Sequence, residues 1–170
     1  MTSDVCELMP ATANDAEALY AILRENAVWM KAQGIEQWTK LLPIEQVEEE
    51  IRLGYVLKLV QQGALVGTLT LTPERDPYWP NDTVPALYLH RLAVRKEFKG
   101  QRLGETALKL AEIATKARGY ATLRLDCINR NQVLVAYYTR AGFTDVGIGS
   151  MKQGVGSSGA KNFRLFEKHL

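Results

Sequence analysis

A basic turn, Phe98-Lys99-Gly100-Gln101-Arg102-Leu103-Gly104, stands between a strand-like run and a helical pattern. A glycine-bearing turn that feeds a helix start leaves several backbone N–H groups without intrahelical partners and adds the positive end of the helix dipole. Such a place holds an anion, most often a phosphate. Arg91, Arg95, Lys96, Lys99 and Arg102 crowd the stretch, with Glu97 as its one acid. The same residues suit a solvated basic turn equally well, and spacing alone leaves both readings open. Cys6 and Cys127 show neither metal-ligand spacing nor a redox Cys-x-x-Cys, and two cysteines in 170 residues make no disulfide framework. Gly154-Val155-Gly156-Ser157-Ser158-Gly159 spells G-x-G-x-x-G, but no helical pattern opens after it and no β-α-β unit can follow. It is therefore a glycine-rich loop and not a dinucleotide fingerprint.

The elements around the turn place it. After it, Leu103, Ala107, Leu110, Ala111, Ala114 and Ala117 recur at helical spacing. Residues 86–95 before it and 121–128 after it read as strands, so the order predicts a right-handed crossover between two parallel strands. Upstream, 5–9 read as a short strand closed by Pro10. Thr12 and Asp15 offer a helix cap, and Ala16, Leu19, Tyr20 and Leu23 mark a helix that stops before Gly34. Pro43 suits the first position of a second helix, in which Ile44, Val47 and Ile51 share a face and Glu45, Glu48, Glu49 and Glu50 mostly meet water. Residues 55–60 and 64–72 form a hairpin about Gln61-Gln62-Gly63. The stretch 73–85, with four prolines, Tyr78 and Trp79, is a long loop of a kind as often functional as structural. Asn129-Arg130-Asn131 caps a short helix ending at Ala141, and 143–149 and 162–168 are closing strands. The whole, 1–170, reads as one mixed α/β domain with a mostly antiparallel sheet and one central parallel pair. With 46% apolar residues, 24% charged and a net charge of +2, neither nucleic acid nor membrane is an expected partner. The first residues carry no secretory pattern, so a cytoplasmic location is expected.

Two segments resemble the GNAT superfamily of acetyl-CoA-dependent N-acyltransferases. The first is Lys99-Gly100-Gln101-Arg102-Leu103-Gly104, against the family's Arg/Gln-x-x-Gly-x-Gly/Ala pyrophosphate loop. The second is Asn131, then Tyr138, then Gly142-Phe143, which matches the family's Asn, Tyr and Gly-Phe spacing. Lys99 keeps the charge of the first motif position but lacks the planar fork of arginine. Arg102 stands where glycine is usual; an αR conformation there needs no glycine, and its side chain is expected to reach a phosphate.

The resemblance implies acetyl-CoA as cofactor, with its pyrophosphate on the amides of Gly100, Gln101, Arg102, Leu103, Gly104 and Glu105. It implies a pantetheine arm beside Leu92-Ala93-Val94 in a gap where the two parallel strands splay, and Asn131 either at that gap or as a helix cap. Acyl transfer to an amine needs a free nucleophile, a polarised carbonyl and a proton for the thiolate. By the same likeness Tyr138 is the acid. His90 is the candidate base, though a structural histidine fits as well, and Glu36 is a weaker one. Asp126 is placed to hold a cationic acceptor, and Trp29, Trp38, Tyr78 and Trp79 to wall its pocket; Tyr137 reads as packing. Cys127 reads as a buried strand residue and not a nucleophile. The implied activity is N-acetyltransfer to a primary amine, of a small molecule, by a monomer or homodimer. The alternatives are a protein amine, or a non-catalytic acyl-CoA-binding module.

Overall fold

The structure, a computed structural model, describes residues 5–35, 38, 41–151 and 161–170. Strand β1 (Cys6–Pro10), helices α1 (Ala16–Ala32) and α2 (Ile44–Arg52), and strands β2 (Val56–Gln61), β3 (Ala64–Thr72) and β4 (Leu87–Val94) come first. Helix α3 (Leu103–Ala117), β5 (Thr122–Ile128), α4 (Gln132–Arg140), β6 (Thr144–Met151) and β7 (Lys161–His169) complete the chain. One seven-stranded sheet runs β1-β2-β3-β4-β5-β7-β6. Its neighbours are antiparallel except β4 and β5, the strands on either side of α3.

Period-two alternation divides the sheet's side chains between two faces. Leu57, Leu69, Leu89 and Leu125 meet Ala107, Leu108 and Ala111 of α3 in the larger cluster, which also holds Tyr138 and Phe143. On the other face Val56 and Ala93 meet Leu19 and Ile22 of α1 and Val47 and Ile51 of α2. Farther along that face Tyr88 and Leu165 meet Trp79 of the proline-rich segment. That segment therefore covers a sheet face next to the two helices.

Several local expectations change. Pro43 is the residue before α2, with extended backbone (ψ 153°), because its ring suits the cap as well as the first turn. Pro10 belongs to β1, an edge strand, where a missing N–H breaks no ladder on the open side. The buried stripe of α3 turns to include Leu108 and Thr115, and Ala117 is exposed; the Thr115 hydroxyl is satisfied by donating to the Ala111 carbonyl at 2.7 Å. Glu50 points inward to an ion pair with Arg91. Strand β7 lies between β5 and β6, so the last hairpin enters the sheet through its second strand. No helix among the described residues is long and apolar enough to cross a membrane.

Candidate active site

Strands β4 and β5 pair at Leu87 with Leu123, Tyr88 with Arg124 and Leu89 with Leu125, and there the pairing ends. Beyond it β5 follows β7 as far as Ile128, and β4 follows β3 to Val94. A bulge turns β4 away: His90 pairs with Thr70 and Ala93 with Thr68, so Arg91 and Leu92 oppose Leu69 alone. Arg91 takes a left-handed φ of 52°, which costs a non-glycine residue about 1–2 kcal/mol. Its guanidinium is tied down by the Glu50 carboxylate and by donation to Thr70 Oγ1 at 3.2 Å. The expected splay is thus present, and Leu92, Ala93 and Val94 line β4 beyond the fork. The Val94 carbonyl accepts from Asn26 Nδ2 of α1 at 3.0 Å, a link the sequence had not suggested.

His90 and Asp126 are the first residues past the last pair, at the fork's apex. They point to the face covered by the proline-rich segment, which brings a third group, Asp76; one ligand atom from each lies within 4.8 Å of the others. His90 Nε2 is 3.5 Å from Asp76 Oδ2. The Tyr78 hydroxyl donates to the same oxygen at 3.1 Å, and Trp79 Nε1 donates to Asp126 Oδ2 at 3.4 Å. The segment is held at three places. Arg124, buried in β5, donates to Asp82 (2.7 Å) and to Glu167 of β7 (2.7 Å). Tyr78 stacks on Phe163 at 4.2 Å between centroids. The Tyr78 carbonyl presses on Gly149 of β6 where any Cβ would clash, so that strand position requires glycine.

Burial, and then the nearby Asp76 charge, push the Asp126 carboxyl up to about 6. Burial pulls the His90 imidazole down, Asp76 works against that, and Arg91 reinforces it. The electrostatics differ from those elsewhere in the molecule. Half-buried Asp15, Glu50, Glu105, Glu112 and Glu167 each meet a lysine or arginine. Among the described residues, neither Asp76 nor Asp126 has such an ion pair; they face each other and an imidazole. An anionic, partly desolvated apex of this kind can accept a proton and attract an ammonium group.

The basic turn lies past the end of β4. Glu105 and Thr106 amides return to the Arg102 carbonyl, and Gln101 N–H reaches the Phe98 carbonyl at 3.4 Å, so Gln101 and Glu105 amides are taken. No backbone carbonyl of the described residues accepts from Gly100, Arg102, Leu103 or Gly104 N–H. These four amides, beside a cavity of about 200 Å³ lined by Val94, Lys99, Gly100, Leu103, Gly104 and Tyr137, fit a pyrophosphate. Arg102 corrects the expectation of an αR residue: its φ of 56° and ψ of 24° are left-handed, the conformation for which glycine is the usual choice. Its guanidinium is exposed and bound to Glu105 at 2.8 Å. Lys99 Nζ stands 3.4 Å from the Trp29 ring centroid, a cation–π contact that ties the turn to α1. The Tyr137 hydroxyl lies 2.7 Å from where a Cβ on Gly104 would be, so Tyr137 is a cavity wall as well as packing.

A phosphate-type turn at one end of a forked parallel pair, with titratable groups at the apex, is the arrangement to which the motifs pointed. Residues 16–143 match the acetyltransferase (GNAT) family. The chain belongs to that family. It is 30% identical over 169 residues to the uncharacterized N-acetyltransferase YesJ of Bacillus subtilis (strain 168), covering 95% of this chain and 88% of YesJ. A GNAT-family acetyltransferase from Listeria monocytogenes superposes with a TM-score of 0.80 at 26% identity, over 97% of this chain and 95% of that one. RimL, a ribosomal-protein alpha-N-acetyltransferase solved in complex with coenzyme A, superposes with a TM-score of 0.65 at 18% identity, over 100% and 97%.

In this GNAT acetyltransferase Asn131 is seen as the cap of α4, its side chain accepting from Leu134 N–H at 3.1 Å. It also lines a cavity of about 520 Å³ with Gly34, Ile35, Ile128 and Val133, past the end of β5. Tyr138 is buried among Tyr137, Phe143 and Phe166, and burial raises its pKa, so its hydroxyl stays protonated. Cys127 is fully buried; burial, then the Asp126 charge, push its thiol up to about 12 and leave no nucleophile. Trp38 packs into the cluster between α1 and α2 and does not line the cavity beside His90. Trp79 is buried against Tyr88 and under Arg124, an anchor more than an open wall. Glu36 and the 154–159 loop lie outside the described residues. Asp76 was missed; its only signal was the length and aromatic content of its loop.

Proposed function

We propose that this chain is an N-acetyltransferase that moves the acetyl group of acetyl-CoA to a primary amine of a small molecule, directly, within a ternary complex in the cytoplasm. The observation that carries the reading is the fork: pairing of β4 and β5 stops at Leu89 and Leu125, so that a gap opens from the His90–Asp126 apex towards the basic turn, four of whose amides have no backbone partner among the described residues. Acetyl-CoA, as substrate, supplies an activated thioester. Gly100, Arg102, Leu103 and Gly104 N–H groups hold its pyrophosphate, and the β4 backbone around Leu92–Val94 lies along its pantetheine and polarises the acyl carbonyl. The carboxylate of Asp126 attracts the acceptor as an ammonium ion. His90 takes one proton from that ammonium and frees the lone pair that attacks the acyl carbon; the Tyr138 hydroxyl protonates the sulfur as the C–S bond breaks, and the second proton on the new amide nitrogen goes back to the Tyr138 phenolate.

Thiol release from acetyl-CoA over a panel of small amines and of peptides with free N-termini, read beside calorimetric acetyl-CoA binding, tests this. Turnover with small amines is expected. Turnover with peptides alone would make the acceptor a protein amine. Tight acetyl-CoA binding without turnover on any member would mark a binding module and defeat the enzymatic reading.

A further inference from the structure

We propose that Asp76 is a positioning residue for the proton acceptor of this site: delivered by the proline-rich segment, its carboxylate fixes the ring and tautomer of His90. The inference rests on reading His90 as the group that takes the amine proton.

The geometry is specific. Asp76 Oδ2 receives the Tyr78 hydroxyl at 3.1 Å and faces His90 Nε2 at 3.5 Å. A carboxylate at Nε2 requires the hydrogen there, which leaves Nδ1 with its lone pair as the acceptor. The placement of Asp76 is built rather than incidental. It comes from a segment clamped by Arg124 on Asp82, by the Tyr78–Phe163 stack, and by the close approach of Tyr78 to Gly149. Among the described residues Asp76 makes no ion pair with an arginine or lysine, and its carboxylate faces the imidazole.

The other charged groups around His90 set the balance. Asp126 of β5 has a carboxylate oxygen within 4.8 Å of the ring. Arg91, next in β4, opposes the imidazolium, although Glu50 of α2 already holds its guanidinium. Glu49 of α2 and Glu74 and Arg75 of the segment line the cavity of about 440 Å³ beside the ring. The Tyr78 phenol stays protonated, since burial and the two aspartates raise its pKa. Asp76 is thus the charge that offsets the burial of His90.

Imidazole NMR tests this without any acetyl transfer. The chain has two histidines, so His169→Gln assigns the His90 signals. Nitrogen shifts of the wild-type protein should show the Nε2–H tautomer for neutral His90; the Nδ1–H tautomer would overturn the proposal even if no variant folds. Asp76→Asn keeps the shape and an oxygen for Tyr78 and removes the charge. The His90 pKa should then fall by about one unit, the loss of one nearby opposite charge. In turnover assays the acid limb of kcat/KM should move to lower pH with the His90 pKa. Its plateau should drop by about 3- to 10-fold, since a base weaker by about one unit transfers the proton more slowly, with acetyl-CoA affinity unchanged. An unchanged His90 titration in folded Asp76→Asn would sink the idea. Absence of turnover in the wild type would fault the functional reading alone, because the NMR result stands apart from it.

Discussion

At the scale of single residues, the site depends on groups whose surroundings move their protonation. Tyr138 has little exposure and a raised pKa, so it is a donor at any physiological pH. A thiolate with a pKa near 8.5 leaves fairly well unaided, so Tyr138→Phe should lower kcat by about 10- to 100-fold and leave acetyl-CoA affinity nearly constant. Single-turnover measurement decides it, and an unchanged rate of chemistry would reduce Tyr138 to packing. Asp126 makes a stability prediction of opposite sign to the usual carboxylate. Its folded pKa, about 6, lies above the unfolded value, so its contribution is favourable at low pH and is lost as pH rises through about 6. Asp126→Asn, which still offers an oxygen to Trp79, should therefore stabilise the fold by about 1–3 kcal/mol at neutral pH and by almost nothing near pH 4. Activity should fall in the same variant. Denaturant titrations at both pH values would refute this by showing equal differences.

At the scale of elements, the turn before α3 joins a strained residue to an intolerant one. The left-handed Arg102 gains little from its exposed pair with Glu105, so Arg102→Gly should cost nothing and raise stability by up to about 1 kcal/mol. A lower melting temperature would show that the guanidinium matters more than the backbone. Gly104→Ala meets the Tyr137 hydroxyl. Adding Tyr137→Phe removes that clash, so the double variant should recover the melting temperature while acetyl-CoA affinity, measured by calorimetry, stays weakened by the methyl group at the amide cradle. Recovery of both would mean that Gly104 serves only the packing of α4. The same stretch shows what could be read beforehand. A helix pattern, a strand pattern and the glycines placed the turn, since those signals are local. The conformation of Arg102 could not be read, because a left-handed non-glycine residue is set by its loop and carries no composition signal. Asp76 escaped for another reason: its role arises from contacts between the 73–86 segment and β4, β5, β6 and β7, which no local spacing records. His90 and Asp126 could be named because they lie on the predicted strands, but their meeting at one apex follows from a register that periodicity leaves open.

At the scale of the whole molecule, Arg124 is the joint between the covering segment and three strands. It is 4% exposed, meets Asp82, Glu167 and the Tyr88 hydroxyl, and lies over the Trp79 ring. Arg124→Met would leave the half-buried Glu167 without its guanidinium while the exposed Asp82 meets water, so a loss of about 1–3 kcal/mol is expected, together with proteolytic sensitivity within 73–86. Equal stability, or cleavage elsewhere, would show that the segment is held by its aromatic residues alone. The order of strands has a consequence for synthesis. The ribosome makes β6 before β7, yet β6 reaches the sheet only through β7. While the chain between them emerges, β5 keeps an open edge and β6 has no ladder to join, at a synthesis rate of about 5–20 residues per second. The nascent protein therefore passes through a stage in which the half of the sheet bearing the amide cradle can be assembled while the Phe163 stack and the Glu167 end of the clamp have yet to arrive.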